Sequence, residues 1–353
     1  MSGKRIKLEE LKKFCMAALE KAGMKKEYAE ITAKALAETD GYGTFTHGTK
    51  NLHNYLRKVQ AKGIDINAEP VIIKEGSAFA VMDARKCMGM IPSVFAMELA
   101  CKKAEESGID IVLVRNSSHF GAAGYYANIA AGKGMLGLVF SNVDPNMNAP
   151  GVREKAVGNN PIAFACPGKT YPSVFLDISM SNIASLNVFQ ARADGRKVPM
   201  NWIVDKDGMP TDDPSKYPDE GAMQPIAGHK GYGLAVMVDV LTGILSGGAT
   251  SMSGLITSWV LNLEAPNNVC HSFIAINASM FCGESTFPDR VEEMTRQLHD
   301  LPKAKSSERI YFPGEMEWDR YTKAEKEGLS LPDDLLQSLD GLAKDYGLEL
   351  PLF

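Results

Sequence analysis

The 353-residue sequence has six cysteines, Cys15, Cys87, Cys101, Cys166, Cys270 and Cys282, and no two of them form a CxxC pair. That scatter excludes a disulfide frame or a zinc ribbon and fits buried thiols in a reducing compartment. HExxH and other close-set ligand clusters are missing, so no metal site is expected. GxSxG is absent, which leaves a serine-hydrolase elbow unsupported. The net charge is −5 and no block of like charges stands out, so a dedicated nucleic-acid surface is not expected. The most apolar long stretch, Gly233 to Gly248, contains Asp239 and is too short to cross a bilayer. The opening MSGKRIKLEE lacks the apolar core of a signal peptide. The expectation is a soluble cytoplasmic protein with a small-molecule ligand and neither nucleic acid nor membrane as partner.

What is present is ordinary globular composition, with 45% hydrophobic and 23% charged residues. At this length two domains are expected. The first sixty residues carry apolar positions at helical spacing: Leu8, Leu11, Cys15 and Leu19, then Tyr28, Ile31, Ala35 and Leu36. A glycine-rich loop, Gly41 to Phe45, interrupts, and a third helix is expected to open near Thr46, with Thr46 as its N-cap. Beyond Gly63 the texture turns to α/β. A hairpin is read over Val71–Lys74 and Ala78–Met82 around a Glu75-Gly76 turn. Short buried strands are read at Ile109–Val114, Met135–Val143, Ile162–Cys166, Val174–Ile178 and Ser272–Ile276. Helices are read at Ile91–Ser107, Ala122–Ala131, Ser181–Ala193, Lys230–Ser246 and Asp289–Leu301, with a polar loop over Asp205–Tyr217. The tail from Glu315 is again charged and helical. These textures divide the chain into a helical domain of residues 1–70 with 313–353 and an α/β domain of residues 71–312.

Several motifs invite chemistry. Gly132-Lys133-Gly134-Met135-Leu136-Gly137 matches GxGxxG, but it follows a helix and opens a strand. A dinucleotide fold needs the reverse, so it is read as a helix end and a turn. Gly228-His229-Lys230-Gly231-Tyr232-Gly233 precedes a helix and suits either an anion at free amides or a packed helix entry. Asn116-Ser117-Ser118-His119-Phe120-Gly121 lies between a strand and a helix, where α/β proteins place reactive groups. His119 is then a proton carrier or a satisfied structural histidine. If the strands before His119 and Asp144 are neighbours, Asp144 reaches His119, orients it and raises its pKa. Asn51 and Tyr55 share a helix face with His47, opposite Leu52, Leu56 and Val59. His53, His271 and His299 are read as structural or surface residues.

Taken in order, Thr46-His47-Gly48, the Asn116–Gly121 loop, Asn142-Val143-Asp144-Pro145, Gly158-Asn159-Asn160-Pro161-Ile162-Ala163-Phe164, Leu176-Asp177-Ile178-Ser179, Gly228–Gly233 and Pro313-Gly314-Glu315 resemble the type-2 malate/L-lactate dehydrogenase family. That family includes ureidoglycolate, sulfolactate and diketogulonate enzymes and cyclic-imine reductases. The resemblance implies an α/β protein with a non-Rossmann NAD(P)-binding domain, a mixed sheet, a small helical domain formed by both termini, and a homodimer with active sites near the interface. It implies hydride transfer between NAD or NADP and a 2-hydroxy or 2-oxo acid, or a related imine. By the same resemblance His119 is the general acid/base, Asp144 its orienting partner and His47 a polarising group. Thr46 and Tyr55 would meet the substrate. His229, Lys230 and Gly231 would cradle the cofactor, with Ser118, Asn160, Pro161, Asp177 and Ser179 nearby, and Arg309 or Arg192 would face a 2′-phosphate. The family's usual arginines are replaced by Asn51 and Tyr42, and a usual Gly-Lys pair by Leu186-Asn187. Lys50 would stand in as a looser substrate anchor, which implies a substrate larger, less acidic or differently held.

Overall fold

A computed structural model of the chain describes residues 5–283 and 286–352. Three helices open it: α1 (Leu8–Lys21), α2 (Lys26–Gly41) and α3 (Leu52–Gln60). A hairpin of β1 (Val71–Gly76) and β2 (Phe79–Asp83) leads to α4 (Met90–Ser107), β3 (Ile109–Ser117), α5 (Ala123–Gly132) and β4 (Leu136–Ser141). A second hairpin, β5 (Ile162–Pro167) and β6 (Ser173–Ile178), is followed by α6 (Ser185–Ala193), α7 (His229–Asp239) and β7 (Val269–Ile276). Then come α8 (Thr286–His299), α9 (Glu315–Glu327) and α10 (Asp333–Tyr346).

The helical stripe of α1 buries Leu11, Phe14, Cys15, Ala18 and Leu19. Helix α4 stops at Gly108, whose left-handed φ of 79° lets its N–H cap Ala104 O. The run Val112-Leu113-Val114 in β3 is buried on both faces, which is why it reads as apolar without alternation. The larger sheet has the order β1-β2-β3-β7-β4-β5-β6, and only β2 and β3 run parallel. A smaller sheet of five short strands has its own apolar core around Met147, Met180, Ile203, Tyr217 and Met223.

The two ends of the chain meet. Arg5–Ile6 pairs with Leu329–Ser330, and α10 lies against α1 and α3. Their apolar side chains do not form a separate core: Leu11, Leu36 and Leu339 belong to the same buried cluster as Val112, Val139 and Phe273.

Three local readings are corrected. Gly76 pairs with Phe79, so Ser77 and Ala78, not Glu75 and Gly76, make the first turn. The third helix starts at Leu52 after a 3₁₀ turn at Thr49–Asn51, so Thr46 is not its N-cap. Helix α6 begins at Ser185, because Ser181 uses its hydroxyl on Ile183 O in extended backbone. The helix read over Lys230–Ser246 is borne out: the chain is helical from His229 to Ser246, with α7 passing at Asp239 into a π turn at Val240–Ile244.

Candidate active site

Strand β7 decides the geometry of the site. It lies between β3 and β4 and is antiparallel to both, so β3 and β4 are not neighbours. They point the same way, and the loops carrying His119 and Asp144 leave the same end of the sheet. Two strand spacings put those loops on the order of 10 Å apart. The expected Asp144–His119 contact is therefore absent. Burial raises the Asp144 carboxyl above the usual carboxylate range, and its own backbone N–H and the charge of Lys155 draw it only partly back.

Tyr55 holds His119. Its hydroxyl lies 2.5 Å from His119 Nδ1, and helix α3 carries it there as a fully buried side chain. The Gly121 N–H also points at Nδ1, at 3.4 Å. The indole of Trp259 stacks on the imidazole at 4.4 Å and 20°, and the His47 ring lies 5.8 Å away. His119 remains partly exposed, and among the described residues no hydrogen bond engages its Nε2. Burial, helped by the imidazoles of His47 and His271, holds its pKa well below the usual 6.5.

The loop before α3 is shaped for His47. The Asp40 carboxylate at the end of α2 accepts from Thr49 N at 3.0 Å and from Thr49 Oγ1 at 2.5 Å. A Cβ on Gly48 would come within 1.9 Å of Asp40 Oδ1, so only glycine lets the loop pass. His47 then bonds Thr46 Oγ1 through Nδ1 at 2.9 Å. Burial lowers the His47 pKa and raises that of Asp40 to about 7.

Under His119, His271 bridges three strands. Its Nδ1 lies 2.8 Å from Ser141 Oγ on β4, and its Nε2 lies 2.9 Å from Ser117 Oγ on β3. Phe120 stacks on it at 4.3 Å. A second brace joins Asn142, Asp239 and Ser251: Asn142 donates to Asp239 Oδ1 at 2.9 Å, and Asp239 accepts from Ser251 N. This explains the lone acid in an otherwise apolar helix.

The other expected site residues divide. Asn51 is buried and donates to Thr46 O, while Lys50 pairs with Asp334 on α10 rather than with the His119 group. Asn160 uses both ends of its amide on backbone, accepting from Val143 N and donating to Ala235 O. Pro161 accepts from Ser141 N, Ser118 is buried, and Ser179 meets Ser181. His229 and Lys230 are exposed at the start of α7. The amides of Lys230 and Gly231 already donate to Ala227 O and Ile226 O, so the free-amide reading of that turn is corrected. Arg309 is engaged by Asp319, Tyr171 and Glu315, and Arg192 donates to Tyr217 O. His53 and His299 pair with Asp345 and Glu315.

A cleft of about 430 Å³ begins on the His119 side, at Ala122 and Gly124, and runs between β6 and the segment leading into α9. Asp177 lines it and accepts from Gly124 N at 2.7 Å. Leu176, Ile178, Tyr311 and Met316 give it exposed apolar walls. Another cavity of about 310 Å³ lies beneath Arg309 and α8, and neither it nor the cleft is lined by His47, Tyr55, His119 or Trp259. Sequence reasoning missed Trp259, Asp40 and the cleft wall at Tyr311. The first two are isolated residues in loops or helix ends, and no spacing pattern marks them.

The sequence model of the malate/L-lactate dehydrogenase family matches residues 6–340. A malate dehydrogenase of Pyrococcus horikoshii is 34% identical over 98% of this chain and 96% of its own. A ureidoglycolate dehydrogenase (NAD(+)) of Escherichia coli is 31% identical over 95% of each. Among solved structures, a sulfolactate dehydrogenase from Methanocaldococcus jannaschii superposes with a TM-score of 0.89 at 34% identity, covering 98% of each chain.

Proposed function

Because the chain belongs to the malate/L-lactate dehydrogenase family, we propose that it is an NAD(P)-dependent oxidoreductase of 2-hydroxy or 2-oxo acids, with His119 as the general acid/base. The observation that carries this is the half-engaged imidazole: Nδ1 is held by Tyr55 while Nε2 is left for a substrate oxygen. Tyrosine can donate to Nδ1 or accept from it. His119 can thus present Nε2 bare, to take a hydroxyl proton in oxidation, when Nδ1 carries the proton toward the Tyr55 oxygen and gives up the long Gly121 N–H contact. It can also present it protonated, to return that proton to a developing alkoxide in reduction. His47, one ring away, is placed to polarise the same oxygen. Asp144 lies outside the His119 contacts and faces Lys155 instead.

The cleft at Gly124 and Asp177 fits the adenosine end of a dinucleotide. It has apolar walls for a base and a carboxylate for ribose hydroxyls, and its Ala122–Gly124 end follows the His119 loop in sequence. The nicotinamide, when bound, supplies or accepts the hydride. Lys230, exposed at a helix start, suits a phosphate by charge.

We assign the protein to a homodimer on a second feature. Leu234, Met237, Val240 and Ile244 form a stripe along α7 and its π turn, each at least 38% exposed. Met252 and Leu255 extend it at 77% and 60% exposure. A stripe of that size marks an interface, and a second copy of the chain is the partner that the family reading supplies. Five of the six thiols are buried and unbridged, consistent with a cytoplasmic location.

The test is a fluorescence titration with NADH and NADPH, followed by a panel of 2-oxo acids, diketones and cyclic imines. Binding of one cofactor and its oxidation by a 2-oxo acid is the expected result. No binding of either cofactor overturns the assignment, and turnover of imines alone moves it to C=N reduction.

A further inference from the structure

Helix α3 reaches two structures at once. Tyr55 meets His119, and one turn on, Lys58 is fully buried and donates to Asn262 O and Ala265 O, each at 2.6 Å. Asn54 donates to Trp259 O at 3.2 Å. A Cβ on Gly63 would lie 2.1 Å from Leu263 O, so the loop is seated directly on the chain that follows α3. A buried lysine with carbonyls as its hydrogen-bond partners is a costly device, and here it fixes the loop that carries Trp259. The indole is thereby clamped on one face of His119, 5.1 Å from the Tyr55 ring.

Among the described residues no lysine or arginine is hydrogen-bonded to His47, Tyr55, His119 or Trp259. Asn51 and Lys50, the nearest candidates in sequence, are turned to Thr46 O and Asp334.

We infer that Trp259 is a specificity-determining residue. It forms an apolar wall beside the proton-carrying imidazole that selects 2-oxo and 2-hydroxy acids with an apolar or planar side chain over those with a second acidic group. It is also a positioning residue, since it fixes the plane of His119. This rests on the dehydrogenase reading and names its substrate class. A second carboxylate placed against indole, with no cation to meet it, would lose its hydration uncompensated. An apolar side chain gains by the same burial.

The experiment compares wild type, Trp259→Phe and Trp259→Ala on 4-methyl-2-oxopentanoate and oxaloacetate. Wild type should favour the apolar acid by about tenfold or more in kcat/KM. Trp259→Ala should erase most of that preference, mainly through KM, while Trp259→Phe should keep it within about threefold. A wild-type preference for oxaloacetate, or an equal loss on both acids in Trp259→Ala, overturns the wall. NMR titration of the His119 imidazole supplies a readout independent of turnover. Uncovering the ring should raise its pKa toward 6.5 in Trp259→Ala, and an unchanged value overturns the positioning role. Failure of the dehydrogenase reading looks different: no acid reacts and neither NADH nor NADPH binds. The wall is then judged by quenching of tryptophan fluorescence with the two acids, where equal or inverted affinities overturn it.

Discussion

His119 and His271 sit one above the other at the same end of the sheet, and they are built in opposite ways. Both are stacked on an aromatic ring, Trp259 for one and Phe120 for the other. Both are held well below the ordinary histidine pKa by burial, His271 at about 3. His271 is closed: it is fully buried and each ring nitrogen meets a serine. His119 is open: one nitrogen is engaged and the ring is partly exposed. A saturated imidazole has no lone pair or proton left to exchange, so His271 holds strands together. A half-saturated one is oriented and still reactive.

The largest test of that contrast is deletion of each ring. His119→Ala should lower kcat by about 10²–10⁴-fold, the range for removing a general acid/base, and should cost only about 1 kcal/mol in stability, because the buried Tyr55 hydroxyl loses its partner. His271→Ala should do the reverse. It leaves a cavity and two buried hydroxyls without their partner, and should cost about 2–4 kcal/mol in denaturant unfolding. Equal kinetic losses in the two variants would break the comparison.

Acid sharpens it next. The folded protein keeps His271 neutral down to about pH 3, while the unfolded chain takes up a proton at its ordinary 6.5. The unfolded state therefore binds more protons throughout that window. The stabilisation is complete above pH 6.5 and is lost as pH falls toward 3, at up to about 1.4 kcal/mol per pH unit. His271→Gln should flatten the decline between pH 6.5 and 3 in a urea series. An unaltered slope would mean that His47 and His119 carry it instead.

How much of this was legible follows from the range of each signal. His119 lies between a β-branched strand and a helix, a local pattern, and the sequence marks it without help. Its partner is not local. Asp144 was expected there because β3 and β4 follow each other in sequence, yet β7, far later in the chain, inserts between them. Strand order is a property of the whole sheet, and no spacing near His119 encodes it. Tyr55 has the right helical offset from His47, although His47 lies outside the helix. Trp259 reaches the site on a loop whose anchor is a buried lysine, and a lysine in a sequence reads as surface.

Tyr55→Phe is a smaller perturbation. It removes one hydrogen bond to a neutral ring, worth about 1 kcal/mol, or roughly fivefold in kcat/KM. The loss should be shared by oxidation and reduction, because the hydroxyl serves both tautomers. A loss confined to one direction would show that Tyr55 fixes a single tautomer, as a carboxylate would.

The smallest expected effect belongs to Lys50. The sequence reading gave it the missing arginine's place, which would make Lys50→Ala raise KM for an acidic substrate severalfold. In the structure its ammonium pairs with Asp334, which is 48% exposed, and its carbonyl accepts from Ser338, so it ties the α3 entry to α10. An exposed pair of this kind contributes about 0–1 kcal/mol, screened by salt. Lys50→Ala should therefore leave KM unchanged for every acid the protein turns over and lower stability only slightly, an effect that fades at high ionic strength. A selective rise in KM would return a cation to the neighbourhood of His119. The lack of a hydrogen-bonded cation that separates the open histidine from an arginine-anchored site would then no longer hold.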